Sequence, residues 1–198
     1  DYPDLKAVKP EIIYFACYGF GESGPYAGRP AYDDVIQGVS GLSSIVSFIT
    51  GEPRHVPALF ADKTSGMAVT QAVTYALLHK ERTGEGQEVE VPMFETMVHF
   101  NLVEHFSGAI FEPPESNFGY ARLQAPDRRP LATKDGHISL MPYTTNHWQR
   151  FFKAVSREDM LEDKRVTDPV YRAKHIAELY AIVEKIVKNW TVSALIEI

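Results

Sequence analysis

The chain has 198 residues, 44% of them hydrophobic and 12% aromatic, with a formal net charge of −6. That is enough apolar material for one or two buried cores, and the acidic balance, without any Lys/Arg cluster, argues against a nucleic-acid partner. One cysteine, Cys17, excludes an internal disulfide and suits a reducing compartment. No apolar stretch reaches the ~18 residues a membrane span needs, and the first residues lack the pattern of a signal peptide; a cytoplasmic protein without membrane contact is expected.

Asp1 to Pro10 reads as the interior of a chain, with Leu5 to Lys9 as the last turn of a helix stopped by Pro10. Thr191 to Ile198 halts inside an amphipathic pattern, so a piece of a longer polypeptide is expected. Glu11 to Cys17 is a continuous apolar run, the mark of a buried strand in a mostly parallel sheet, and Cys17 is expected to be a buried, inert thiol. Tyr18 to Pro30 is a loop rich in Gly and Pro at the carboxyl end of that strand, where α/β proteins place binding residues. Gly19-Phe20-Gly21 lacks the remaining spacing of a phosphate loop.

Ala31 to Gly41 opens a helix, with Asp33 and Asp34 in its first turn as capping residues; neighbours on a helix point apart, which disfavours a catalytic couple. Leu42 to Ile49 is short and apolar. Val56 to Ala61 reads as an extended segment that runs into Asp62, then Thr64, Ser65 and Gly66, then a helical run apolar almost all round from Met67 to Leu78, which predicts a buried helix. Asp62 thus falls at a strand–helix junction, and the residues alone allow either a helix cap or a presented reactive acid.

Gln87 to Val91 alternates as a half-exposed strand, and Pro92 suits the start of a helix from Met93 to about Phe106. Its polar residues Glu95, His99, Glu104 and His105 fall short of a metal-ligand set. Composition changes to Pro-rich and polar at 113–129, read as a linker between a domain at 1–112 and a smaller one at 130–198. Pro130 to Met141 predicts a hairpin turning at Asp135-Gly136. Asn146 to Val155 is an amphipathic helix with Asn146 as cap, and Asp168-Pro169 starts another, with helical spacing from Tyr171 to Lys188. Trp148 and Trp190 are expected in the core.

Several stretches, taken in order, resemble the class III CoA-transferase (CaiB/BaiF) family. They are Pro10-Glu-Ile-Ile-Tyr14, Gly19-Phe-Gly21, Gly24-Pro25, Arg29-Pro-Ala-Tyr-Asp33 with Gln37-Gly38 and Ser40-Gly41, Ala61-Asp62 with Ser65-Gly66, Arg82-Thr-Gly-Glu-Gly-Gln87, and Thr133-Lys-Asp-Gly136 with Trp148. The resemblance implies an α/β fold: part of a Rossmann-like parallel-sheet domain carrying the nucleophile region, followed by a small α+β domain, without the segments that precede and follow them in the family. It implies transfer of CoA from an acyl-CoA to a carboxylic acid, with an interlocked homodimer in the full-length family and coenzyme A thioester as substrate rather than a permanently bound cofactor. Asp62 matches the family nucleophile, whose carboxylate forms an acyl anhydride and then an aspartyl-CoA thioester. Tyr18, Gly19, Phe20, Tyr32, Lys63, Thr64, Ser65 and Gly66 are the candidates for lining the substrate and CoA pocket, with amides near Thr64 to Gly66 as oxyanion donors. The related α-methylacyl-CoA racemases carry a histidine where this chain has Tyr32. A phenol with a pKa near 10 is a poor replacement base, so transferase chemistry is favoured over racemisation. A non-catalytic binding or dimerisation module is the third reading. No glycine run lies between Ser107 and Pro130, where some transferases carry a protective loop.

Overall fold

The computed structural model describes residues 1–120 and 122–198. They form two compact units, Asp1–Gly119 and Tyr120–Ile198. The first is an α/β unit built on two parallel strands, β1 (Ile13–Ala16) and β2 (Gln87–Glu90), in the register Ile13 to Gln87 through Ala16 to Glu90. Helix α1 (Tyr2–Val8) precedes β1. Between the strands run α2 (Asp33–Val39), α3 (Leu42–Thr50) and the 24-residue α4 (Phe60–Thr83), and α5 (Met93–Phe106) follows β2. Parallel strands need such a crossover. The strands meet closely because position 86 is glycine: a side chain there would overlap the main chain of Glu11 and Ile12. A small core of Phe20, Ile36, Ala61 and Met97 joins the loop after β1 to α2, α4 and α5.

Several local expectations are revised. Val56 to Ala61 is not a strand. Pro57 has no N–H to give a ladder, and the side chain of Gln37 takes the segment's backbone groups: Oε1 accepts the Val56 N–H at 2.8 Å, and Nε2 donates to the Ala58 carbonyl at 3.2 Å. Helix α4 therefore starts at Phe60, with Leu59 at its N-cap position. Its apolar residues are not enclosed: Met67 is 60% exposed, Tyr75 70% and Leu77 55%, while the buried positions are Ala61, Thr64, Ser65 and Ala76. The all-round apolar pattern implies neighbours on every side, and within this chain α2 and α5 pack against α4. Cys17 is exposed, not buried, because β1 ends at Ala16.

The second unit pairs β3 (Leu131–Ala132) with β4 (His137–Ile138) antiparallel. The hairpin holds, but its loop is the four residues 133–136, closed by the Thr133 N–H on the Gly136 carbonyl at 2.9 Å, and Gly136 does not take the positive φ of a two-residue type I′ turn. Helices α6 (Thr145–Ala154), α7 (Lys164–Thr167), α8 (Pro169–Lys174), α9 (Ile176–Val187) and α10 (Val192–Ile196) follow. The cap of α6 is Thr144, which accepts the His147 N–H, rather than Asn146. Asp168 caps α8 through the N–H groups of Val170 and Tyr171. The helical run from Tyr171 breaks at His175 into α8 and α9. The core gathers Trp148, Phe152, Val166, Leu179, Val183 and Val187, each at most 1% exposed, with Trp190 packed at its edge.

Both tryptophans lie in the second unit, so their fluorescence reports its unfolding. Phe152→Ala is expected to lower that unit's stability by about 3–5 kcal/mol, the usual cost of emptying a buried aromatic site, read from the urea midpoint. Acid acts on the same unit. Asp163 accepts Arg165 Nη2 at 2.6 Å and Nε at 3.0 Å, and this pairing holds its carboxyl below the ordinary 3.8 despite partial burial. A lowered folded value means that the contribution is complete above the ordinary value and is lost as pH falls through the lowered one. The fluorescence midpoint of the wild type should therefore fall as pH drops below about 4, and that of Asp163→Asn should fall less steeply over the same range.

Candidate active site

The loop after β1 is fastened to the start of α5 by main chain. Carbonyls of Ala16, Tyr18 and Gly19 accept the N–H groups of Val91, Met93 and Phe94 at 2.9, 2.8 and 3.0 Å. This satisfies opening amides that α5 cannot satisfy itself, and Pro92 at its N-cap position offers no side-chain cap. The Glu95 carboxylate then accepts the Gly21 N–H at 3.2 Å, and Glu90 accepts that of Glu22 at 2.7 Å. Glycine is required at 19, where a side chain would overlap Ala31; at 21 a side chain would meet Glu95 Oε1 at 2.7 Å and displace the carboxylate that accepts the Gly21 N–H. Phe20 turns inward against Phe94 and Tyr26, with ring centroids at 5.7 and 5.3 Å.

Tyr18, Gly19 and Phe20 share a cleft of about 260 Å³ with Glu22 and Arg29. Lost hydration, and then the Glu22 carboxylate, hold the Tyr18 phenol above its ordinary value. The Arg29 guanidinium lies 4.9 Å from the centre of the Tyr26 ring. Arg29 marks a motif in the sequence, but nothing in its spacing singled it out as a cleft residue.

Asp62 stands at the third position of α4, where an acid is favourable to the helix dipole, with Ala61 beside it fully buried. The cap expectation is reversed here. Asp33, not Asp62, does the capping, and it caps the other helix. Its Oδ1 accepts the Asp62 N–H at 3.0 Å, while its Oδ2 accepts Gln37 Nε2 at 2.6 Å. Asp33 is 5% exposed and Gln37 fully buried; the Asp-x-x-x-Gln spacing on one helix face was the available signal. The Asp62 side chain is exposed, and among the described residues no hydrogen bond or ion pair to its carboxylate is recorded. Lys63 and Gly66 are also exposed, and Tyr32 is 77% exposed at the N-cap position of α2. Thr64 and Ser65 are buried. Thr64 Oγ1 donates to the Phe60 carbonyl at 2.8 Å, and Ser65 Oγ is enclosed with no partner among the described residues. Thr64 to Gly66 lie past the opening turn, so their amides belong to the helix ladder.

A short parallel sheet, a glycine-bearing loop at its carboxyl end and an exposed acid at a helix start define an α/β protein with an enzyme-like face. The chain belongs to CoA-transferase family III, whose family model matches residues 1–198. It is 29% identical to a probable fatty acyl-CoA transferase of Mycobacterium tuberculosis, a match covering 98% of this chain and 52% of that protein. It is 27% identical to the succinate–glutarate CoA-transferase of Agrobacterium fabrum, covering 96% and 48%. A crystal structure of the same M. tuberculosis protein superposes with a TM-score of 0.80 at 27% identity, covering 100% of this chain and 51% of that one. That of a CaiB/BaiF family protein from Brucella suis gives 0.74 at 27%, covering 100% and 52%. The chain spans about half the length of the curated relatives it matches.

Asp33→Ala removes the acceptor for the Asp62 N–H and leaves the Gln37 amide short of a partner. A loss of about 1–2 kcal/mol is expected, with faster amide hydrogen exchange at Asp62, whereas Asp34→Ala on the exposed side of the same turn should change neither.

Proposed function

We propose that the complete protein transfers CoA between an acyl-CoA and a carboxylic acid, with Asp62 as the nucleophile. The observation that carries this reading is the division within Asp62 itself. Its main chain is pinned by Asp33, and its carboxylate is left exposed and without a structural partner. A nucleophile requires fixed placement together with free oxygens.

In the first step a carboxylate oxygen of Asp62 attacks the thioester carbonyl. The C–S bond breaks, giving an aspartyl acyl anhydride and CoA thiolate. The thiolate then attacks the aspartyl carbonyl, forming an enzyme thioester and releasing the donor acid. The acceptor carboxylate runs the two steps in reverse and leaves as its CoA thioester. Charge develops on a carbonyl oxygen at each step and calls for donors aimed at it. The amides of the opening turn of α4, Leu59 to Ala61, have no acceptor within the helix and directly precede Asp62, and Lys63 supplies an adjacent exposed cation. Tyr18, Gly19, Phe20 and Arg29 form the cleft offered to substrate. Relatives are named as a probable fatty acyl-CoA transferase, a succinate–glutarate CoA-transferase and a formyl-CoA:oxalate CoA-transferase, which supports an organic acid as the acceptor class.

In the full-length protein, Asp62→Ala should reduce CoA transfer by at least about a thousandfold, as expected for removal of a covalent nucleophile. Hydroxylamine added during turnover should label the peptide carrying Asp62. Undiminished transfer by the variant would overturn the assignment. Exchange of the α-hydrogen without CoA transfer would replace it with racemase chemistry.

A further inference from the structure

The second unit contains a cavity lined by none of the residues assigned above to CoA transfer. It measures about 310 Å³ and is lined by Arg122 and Arg172 together with Tyr143, Trp148, Ile176 and Tyr180, and no acidic side chain lines it. In a chain of net charge −6, two guanidinium groups facing one hollow without a carboxylate are a local inversion of charge. Arg172 is 8% exposed. Its Nη1 donates to the Val166 carbonyl at 2.6 Å and to Thr145 Oγ1 at 3.3 Å, both neutral acceptors. No ion pair to Arg172 or Arg122 is recorded among the described residues. A largely buried cation with no carboxylate in contact is costly: burial lowers the hold of Arg172 on its proton, and the charge of Asp168 opposes this in part. Arg122 lies over the Tyr143 ring, 4.3 Å from its centre, and hydrogen-bonds the side chains of Tyr143 and Tyr120; these neutral partners use only part of its five-donor fork.

We propose that this cavity binds a small organic carboxylate, its anionic end taken by Arg122 and Arg172 and its apolar body lying against Trp148, Ile176 and Tyr180. The guanidinium fork matches a carboxylate in two parallel hydrogen bonds, and Trp148 and Tyr180, 1% and 3% exposed, give the body a fixed apolar wall. The volume lies at the low end of the range for ligand pockets, about 300–1,000 Å³, which suits a flat acid of the size of benzoate better than an extended thioester. No residue of the Asp62 site lines the cavity, so the inference stands or falls separately from the transferase reading and is tested by binding alone.

The experiment titrates the 198-residue chain with benzoate, its neutral isostere benzamide, and inorganic phosphate, following tryptophan fluorescence and amide chemical shifts. Benzoate should bind saturably, with shifts centred on the cavity residues, and benzamide at least about tenfold more weakly, since it lacks the charge the fork recognises. Arg122→Gln, which unlike Arg172 is not tied to the Val166 carbonyl, should weaken benzoate at least about tenfold while keeping a cooperative urea transition. Absence of saturation, equal binding of benzoate and benzamide, or undiminished binding by Arg122→Gln would overturn the proposal. Phosphate binding as tightly as benzoate would overturn the assignment to an organic acid.

Discussion

The arrangement of the first unit depends on one buried carboxylate. The two oxygens of Asp33 serve different partners: one accepts the Asp62 N–H at the head of α4, the other the amide of Gln37, which in turn takes up the backbone of Val56 and Ala58. Helix α2, the segment before α4 and the first turn of α4 are thereby tied through two side chains. A buried acid is tolerable only where its oxygens are accepting hydrogen bonds, and here both do.

Around that tie the packing is economical. Phe20, Ile36, Ala61 and Met97 are the buried apolar residues of the core, and each comes from a different segment: the loop after β1, α2, α4 and α5. Ala61 adjoins Asp62, so the helix head is held by apolar contact on one side and by the Asp33 oxygen on the other. The loop that carries Tyr18 and Gly19 has no ladder of its own beyond β1. It borrows the amides of Val91, Met93 and Phe94 instead. Cleft and acid are thus positioned by backbone bonds and small residues.

The legible and illegible parts of the sequence divide along physical lines. Patterns carried by single elements read correctly: β1 within Glu11 to Cys17, the start of α5 after Pro92, the hairpin around Asp135, and Asp168 as a cap. What failed depended on partners distant in the chain. Val56 to Ala61 has the composition of a strand, but its hydrogen bonds go to Gln37, 19 residues earlier. The apolar circumference of α4 records an affinity for neighbours, and periodicity cannot say which neighbours this chain supplies. Asn146 was a plausible cap two residues late, because Thr144 with His147 makes a reciprocal pair. At the site, the place of Asp62 near the start of a helix was legible from its flanking residues, whereas the brace beneath it and the presence of Arg29 in the cleft emerge only once helices are set side by side.

The exchange of duties between the two aspartates bears most directly on function. An acid in the first turn of a helix ordinarily earns its place by accepting orphan amides. Had Asp62 done so, its oxygens would be engaged, and using them as a nucleophile would mean breaking those bonds in the reacting state. With Asp33 accepting the amide from a neighbouring helix, the tie on the main chain of Asp62 does not involve its side chain, and so would survive the covalent forms of the proposed cycle. An acyl anhydride and a thioester both remove the charge of the carboxylate and one of its acceptors, so a helix head capped from within would lose its cap at each turnover. A cap supplied from outside is indifferent to that change. In the proposed reaction, Asp62 held through its backbone by a second acid that takes no part meets the demand that a cycle through aspartyl intermediates would make.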